Sequence, residues 1–381
     1  MSTPPQRPPA APPAPAAAPQ EAEHRFPCDQ CGADLRFDPE TEDLSCDHCG
    51  FHSPLTRTRE AGVKAIVELD YRAALTHALP EADSVEARAT TCPNCAAIFE
   101  FDPNRHAAEC PFCATPVVAD SGTYRQIKPR GVVPFALGEA AARDAMTRWL
   151  GRLWFAPNGL QDYARKGRKL NGIYVPYWTY DAQTDTQYLG QRGDDYYVDR
   201  VVMVDGKRQT RRERKTRWSS RSGRVARFFD DVLVLASRGL PKRYTDALAP
   251  WDLSRLTPYS PDYLAGFQAE GYTVELAEGF EEARAHMDRV ILRDVKFDIG
   301  GDRQRVTSLD TEVSDVRFKH ILLPIWLAAY KYRGKTYRFV VNGQTGRVQG
   351  ERPWSAAKIT VAVLFGLILA AGIGYLIAIN Q

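Results

Sequence analysis

Residues 28–50 read CDQCGADLRFDPETEDLSCDHCG, and residues 92–114 read CPNCAAIFEFDPNRHAAECPFCA. In each stretch two residues separate the cysteines of a pair, and fourteen separate the pairs. The second stretch is the first moved on by 64 positions, a shift that also aligns Phe37-Asp38-Pro39 with Phe101-Asp102-Pro103. A structural unit is repeated, not only a cysteine pattern. A C-x2-C turn presents two sulfurs to one ion, and two such turns on facing hairpins complete a tetrahedron of thiolates. The spacing therefore predicts two zinc ribbons with two structural Zn2+ ions. One ion takes Cys28, Cys31, Cys46 and Cys49, the other Cys92, Cys95, Cys110 and Cys113. Four thiolates close the metal shell, which suits a structural site and not a catalytic one. A ribbon this short buries too little apolar surface to fold alone, so the metal supplies its folding energy.

These eight cysteines are all that the chain has. A disulfide framework would need an oxidising compartment, and the N-terminal residues show no charged stretch followed by an apolar run. A redox C-x-x-C fits poorly with four pairs in two identical frames. His48, His52 and His106 lie near complete ligand sets and are expected to be bystanders.

Outward from the cysteines, the chain divides by composition. Residues 1–22 are mostly Pro and Ala with polar residues and cannot form a core, so a disordered tail is expected. The ribbons are expected at 23–56 and 90–119, joined by a helical linker at 57–89. In that linker Val67–Leu79 reads as a short helix with Tyr71, Leu75 and Leu79 on one face. Residues 120–355 form an α+β domain with a mainly antiparallel sheet and flanking helices. Its first helix places Met146, Trp149, Leu150, Leu153 and Trp154 at helical spacing. A second helix is expected over roughly Phe280–Val290. Two strand-rich blocks carry a Pro-x-Trp, Pro176-Tyr177-Trp178 and Pro324-Ile325-Trp326, which suggests a duplicated unit or two equivalent strands of one sheet. Tyr330–Tyr337 reads as a tight hairpin.

Residues 356–381 are a membrane anchor. Ile359–Ile379 run 21 residues without a charge, long enough to cross the hydrocarbon core of a bilayer as a helix. Arg352 and Lys358 precede the run and only Asn380 and Gln381 follow. Positive charge stays inside, so a single-pass protein of the cytoplasmic membrane is expected, with its N-terminal bulk in the cytoplasm. Gly366, Ala370 and Gly374 make a small-residue stripe. It could bring two such helices together as a homodimer, or reflect the general abundance of small residues in membrane helices; both readings stay open.

The net charge of +3 is too small to imply a nucleic-acid partner by itself. One stretch is nevertheless strongly basic: Lys207, Arg208, Arg211, Arg212, Arg214, Lys215 and Arg217, with Glu213 as the single local acid. It follows a strand and reads as the return strand and tip of a hairpin. Three readings stay open: a solvated strand face, contact with anionic lipid, and contact with nucleic-acid phosphates. The chain has no G-x-x-x-x-G-K-[ST], H-E-x-x-H or G-x-S-x-G motif, so nothing in it recommends an enzyme.

The paired cysteine frames, VVPFALGEAAARDAMTRWLGRLWFAPNGL, LNGIYVPYWTYDAQTDTQYLGQRG, KHILLPIWLAAYKYRGKTYRFVVNGQTGRVQGERPWS and the apolar tail together resemble a bacterial family of zinc-ribbon membrane proteins. Its members carry labels such as primosomal-helicase-like or TFIIB-type zinc ribbon. The resemblance covers most of the chain from about Phe26, and its Pro-x-Trp blocks are the more specific part. It implies partners among cytoplasmic or membrane-associated proteins, including phage-shock (ESCRT-III-like) and SPFH proteins of envelope stress. The expected function is a non-enzymatic membrane adaptor or scaffold. The alternative is a membrane-tethered nucleic-acid-binding protein without helicase activity.

Overall fold

The structure is a computed structural model. It describes residues 26–55, 66–76, 79–80, 83–100, 107–112, 115–118, 122–156, 170–204, 207–332, 335–351 and 354–379. The expected N-terminal tail, Cys113, His106 and Arg352 lie outside the described residues.

From residue 131 onward the elements are β1 (Gly131–Val132), α1 (Glu139–Gly151), β2 (Asn171–Val204), β3 (Lys207–Leu235), α2 (Lys242–Asp246), β4 (Thr257–Pro258), β5 (Gln268–Gly271), α3 (Leu276–Ile299), β6 (Arg303–Tyr332), β7 (Lys335–Asn342), β8 (Val348–Gly350) and α4 (Ala356–Ile379). The sheet is mainly antiparallel. β2 pairs with β3 on one edge and β6 on the other, and β6 continues to β7 and β8.

The two Pro-x-Trp blocks lie side by side. Pro176 and Pro324 are 148 positions apart (324 − 176), and so are Val175 and Leu323, which face each other across the β2–β6 ladder. A local two-fold axis therefore passes between Val175 and Leu323, and the surroundings obey it. β1 runs parallel to β6, with Gly131 opposite Ile321; β5 runs parallel to β2, with Gln268 opposite Ile173. The Trp178 indole donates to the Val274 carbonyl at 2.9 Å, and the Trp326 indole donates to the Leu137 carbonyl at 2.9 Å. Each acceptor stands two residues before a helix, α3 or α1. Tyr272 packs on Trp178 with ring centroids 4.9 Å apart, and Phe135 packs on Trp326 at 5.0 Å. The unit strand–helix–long hairpin thus occurs twice, and each copy lends its short strand to the other.

Burial along β2 explains how one strand can be so long. Residues 173–182 are buried on both faces and read as a nearly continuous apolar and aromatic run. Beyond them burial alternates to Gly190, recurs at Gly193 and then ceases. α3 covers the Trp178, Tyr180 and Phe318 face with Leu276, Phe280, Ala283, Met287, Ile291, Val295 and Ile299, a stripe at helical spacing. Gly279 lets the helix approach, since a Cβ there would stand 2.8 Å from the Trp178 ring. Gly300 ends α3 at φ 68°.

Several sequence expectations are adjusted. The helix expected over Val67–Leu79 spans only Tyr71–Leu75. Leu69 and Asp70 are drawn into an edge strand against Phe318 and Arg317, and the Asp70 carboxylate caps the helix by accepting from the Ala73 N–H at 2.7 Å. The segment read as a helical linker also contains a strand, Ser84–Thr91, paired with Gly122–Ile127. α1 stops at Gly151, so Trp154 leaves the core stripe and is 79% exposed, whereas Met146, Leu150 and Leu153 are buried. α3 extends the expected second helix at both ends. The hairpin over Tyr330–Tyr337 forms with Tyr332 opposite Lys335, and Lys207–Arg217 begin the return strand of the β2–β3 hairpin.

A polar cluster pins the middle of the sheet. Lys319 is 6% exposed, and its Nζ lies 2.8 Å from Asp231, 3.0 Å from Glu68 and 3.4 Å from Asp181. Asp181 sits where the ladder slips by one residue on both sides. Its Oδ1 accepts from the Asp231 N–H at 2.5 Å. Burial, reinforced by Glu68, pushes the Asp181 carboxyl up to about 6.

Next to it, His320 is buried between Trp178 and Tyr272, with Nδ1 2.7 Å from the Ile127 carbonyl, to which it donates. Burial pushes the imidazole down to about 4. The unfolded chain, with a histidine near 6.5, takes up this proton more readily than the folded one. The contribution is therefore complete above about pH 6.5 and is lost as pH falls towards 4, by up to about 3 kcal/mol. We expect His320→Gln to flatten the acid side of the stability profile relative to wild type, measured as urea midpoints across that range. An unchanged profile would rule this out.

Candidate metal centres

The first centre is built by two matching turns. Between Cys28 and Ala33, the Cys28 N–H donates to the Ala33 carbonyl at 2.7 Å, and the Gly32 N–H donates to the Cys28 carbonyl at 2.8 Å. The second turn repeats this with Cys46–Phe51 at 2.8 Å and Gly50–Cys46 at 2.9 Å. Gly32 and Gly50 close the turns at φ 73° and 72°, which glycine adopts without steric cost. Strands Leu35–Asp38 and Asp43–Cys46 pair between them.

The result is four sulfurs within 4.8 Å of one another. Cys28 and Cys49 Sγ are 3.6 Å apart, and Cys31 and Cys46 Sγ 3.5 Å. A tetrahedron with Zn–S bonds of ~2.3 Å has edges of about 3.8 Å, so the donor set matches a tetrathiolate ion. The electrostatics agree. The N–H groups of Cys49 and then His48 hold the Cys46 thiol down to about 6. At Cys49 the Phe51 N–H lowers the thiol, but burial and the three neighbouring sulfurs outweigh it and push it up to about 12. Such a cluster needs a cation before all four sulfurs can ionise.

The second centre repeats the plan. Cys92, Cys95 and Cys110 cluster, with Cys95 and Cys110 Sγ 3.7 Å apart. The Cys92 N–H donates to the Ala97 carbonyl and the Ala96 N–H to the Cys92 carbonyl, both at 2.9 Å. The seven described cysteines are free thiols. His48 and His52 are exposed and stand outside the sulfur cluster. Ala96 occupies the position of Gly32 and Gly50, at φ 58°. An alanine there costs about 1–2 kcal/mol. Ala96→Gly is expected to strengthen metal retention by the second centre, read as a higher chelator concentration for half-release of its metal; equal or easier release would count against it.

Both centres dock on the core beside the local two-fold axis, on opposite faces of the sheet. Cys28, Phe37 and Cys46 share a cluster with Phe135, Tyr174, Trp326 and α1. Cys92, Phe99, Cys110 and Phe112 pack with Ile173, Val175, Ile321 and Leu323. The second centre also joins the sheet, with Phe99 opposite Glu270 on β5. Glu270 is buried and accepts from the Ser237 hydroxyl at 2.6 Å. Burial pushes its carboxyl up to about 8, with Ser237 opposing and the Cys95 sulfur reinforcing. Sequence reasoning missed Glu270, Lys319 and His320. Only the Lys-His pair heading the apolar run KHILLPIW gave a signal.

Asp181, Asp230 and Asp231 also lie close enough for a cation. The Lys319 ammonium already occupies that place, so the group is an ion-pair cluster and not a metal site.

The basic residues fall far from both centres. Arg208, Arg211, Arg212, Arg214, Lys215 and Arg217 are exposed on β3, and Lys207 begins that strand. Arg214 lies 3.5 Å from Asp195, Arg200 lies 3.8 Å from Glu213, and Arg212 stacks on Tyr197 at 4.3 Å. Arg208, Arg211 and Lys215 have no partner among the described residues.

α4 has the length and hydropathy of a membrane-crossing helix, with none of its residues buried. Its start is tied to the end of the α1 segment. Ser355 N–H donates to the Phe155 carbonyl and Lys358 Nζ to the Ala156 carbonyl, both at 2.8 Å.

No protein-family profile and no solved structure matches the chain. Among curated proteins, the chain is 25% identical over 344 residues to the uncharacterized protein YdjG of Bacillus subtilis strain 168, a similarity covering 88% of this chain and 91% of that protein.

Proposed function

We propose that the chain is a non-enzymatic adaptor of the cytoplasmic membrane, with two structural zinc ribbons that present a rigid cytoplasmic surface to partner proteins. The observation that carries this reading is the docking of both thiol centres on one sheet, one on each face, while α4 contributes nothing to either cluster. Zn2+ in each centre would close a four-sulfur shell and stabilise its hairpins. Lys358 at the start of α4 supports an inside location of the bulk. The partners are cytoplasmic or membrane-associated proteins, with phage-shock (ESCRT-III-like) and SPFH proteins suggested by the family resemblance.

The test is purification of the full chain from membranes in mild detergent. Defined proteins in stoichiometric amounts support the adaptor. Nuclease-sensitive nucleic acid in their place would replace it with the tethered nucleic-acid-binding reading.

A further inference from the structure

The β2–β3 hairpin outruns the sheet. β6 begins at Arg303, opposite Gly193, so residues 194–204 and 207–217 continue as a two-stranded ribbon with no other strand on either edge among the described residues. Directly opposed residues of such a ribbon share a face. Tyr197 opposes Arg214, Asp199 opposes Arg212, Val201 opposes Thr210, and Met203 opposes Arg208. One face thus gathers three large apolar side chains and three arginines, with Asp199 and, at its base opposite Thr216, Asp195 as its acids. Tyr197, Val201 and Met203 are 54%, 62% and 64% exposed.

We infer that this face is a second membrane-contact point, in which Val201 and Met203 enter the headgroup boundary and Arg208, Arg212 and Arg214 meet lipid phosphates. Two features favour a bilayer over other occupants. Apolar tips beside cations suit an interface that is oily below and anionic above, whereas a nucleic-acid backbone would use the arginines and leave the aliphatics idle. The chain also carries its own route to a bilayer in α4, so the inference rests on the reading of α4 as an anchor.

The contact is remote from that anchor. α1 starts beside Trp326, and its Trp149 packs on Phe339, which pairs with Ala328 further along β6. α1 therefore runs along β6 in the direction of β6, and α4 starts at that end. The tip of β2 lies at the opposite end, because β2 and β6 are antiparallel. The 34 residues of β2 span up to about 110 Å. The tip is thus placed to touch a bilayer surface well away from the lipids around α4.

The experiment uses the full chain held by α4 in nanodiscs of neutral phosphatidylcholine. These are floated with separate vesicles of phosphatidylcholine, or of phosphatidylcholine and phosphatidylglycerol in equal parts. Co-flotation is expected with the anionic vesicles at low ionic strength, and not with neutral ones. It should fall about tenfold or more in the triple variant Arg208→Gln, Arg212→Gln, Arg214→Gln, and separately in Val201→Asp with Met203→Asp. High salt should mimic the arginine changes. Absence of wild-type co-flotation, or co-flotation untouched by both variants, would overturn the inference. So would binding of duplex DNA that is lost in the arginine variant and kept in the Val201/Met203 variant. Failure of the chain to enter nanodiscs would instead overturn the anchor reading.

Discussion

Lys319→Met is expected to destabilise the protein by about 3–5 kcal/mol, because it leaves Asp181, Asp231 and Glu68 converging on a buried point without their cation. The side chain is nearly isosteric, so lost volume contributes little. The effect should reach beyond the sheet. Glu68 precedes the Leu69–Asp70 strand that docks on β6, so the segment between the two cysteine centres should become protease-sensitive first. Adding Asp181→Asn should recover part of the loss, since it removes one of the uncompensated charges. Denaturant midpoints of the wild type, the single variant and the double variant measure this. A loss under about 1 kcal/mol would show that the cluster is solvated and that the ion pairs are dispensable.

Cys46→Ser is expected to remove one of the two metal ions and to unfold the first centre. Structural zinc contributes about 10–16 kcal/mol to the folding of small tetrahedral modules, more than the docking of Leu35, Phe37 and Leu44 on the core is expected to supply. Cleavage should appear within residues 26–55, while the central sheet keeps its near-ultraviolet signature. Some destabilisation of the sheet is also expected, because Phe37 packs on Tyr263 with ring centroids 5.4 Å apart and its N–H donates to the Ala265 carbonyl. Cys92→Ser should act in the same way on the second centre alone. Retention of two ions by Cys46→Ser would mean that the four sulfurs of residues 28–49 are not one site.

What the sequence made legible was local. The cysteine frames, the glycines that close the turns after Cys31 and Cys49, and the apolar run of α4 each need only neighbouring residues to be read. The Pro-x-Trp repeat suggested a duplicated unit or two equivalent strands of one sheet, but not the geometry that relates them. That each tryptophan reaches the carbonyl ahead of the other copy's neighbouring helix depends on pairing between residues 96 and 189 positions apart. The Lys319–Glu68 contact spans 251 positions and left no pattern to find. The helix between the centres was overread for a related reason. Leu69 lies off the Tyr71, Leu75 and Leu79 stripe, and an open edge of β6 buries it as a strand. Past Gly193 the strand β2 has no core to follow and is held by its ladder with β3, so hydrophobic periodicity could not announce its length.

The central claim is that the repeated cysteine ruler folds two tetrathiolate zinc centres onto one membrane-anchored core. Its most direct test is elemental analysis of the full chain, freshly purified in detergent under reducing conditions. The account predicts about two zinc ions per chain, with all cysteines titrating as thiols once the metal is removed. Less than about one zinc per chain, or cysteines recovered as disulfides, would contradict it.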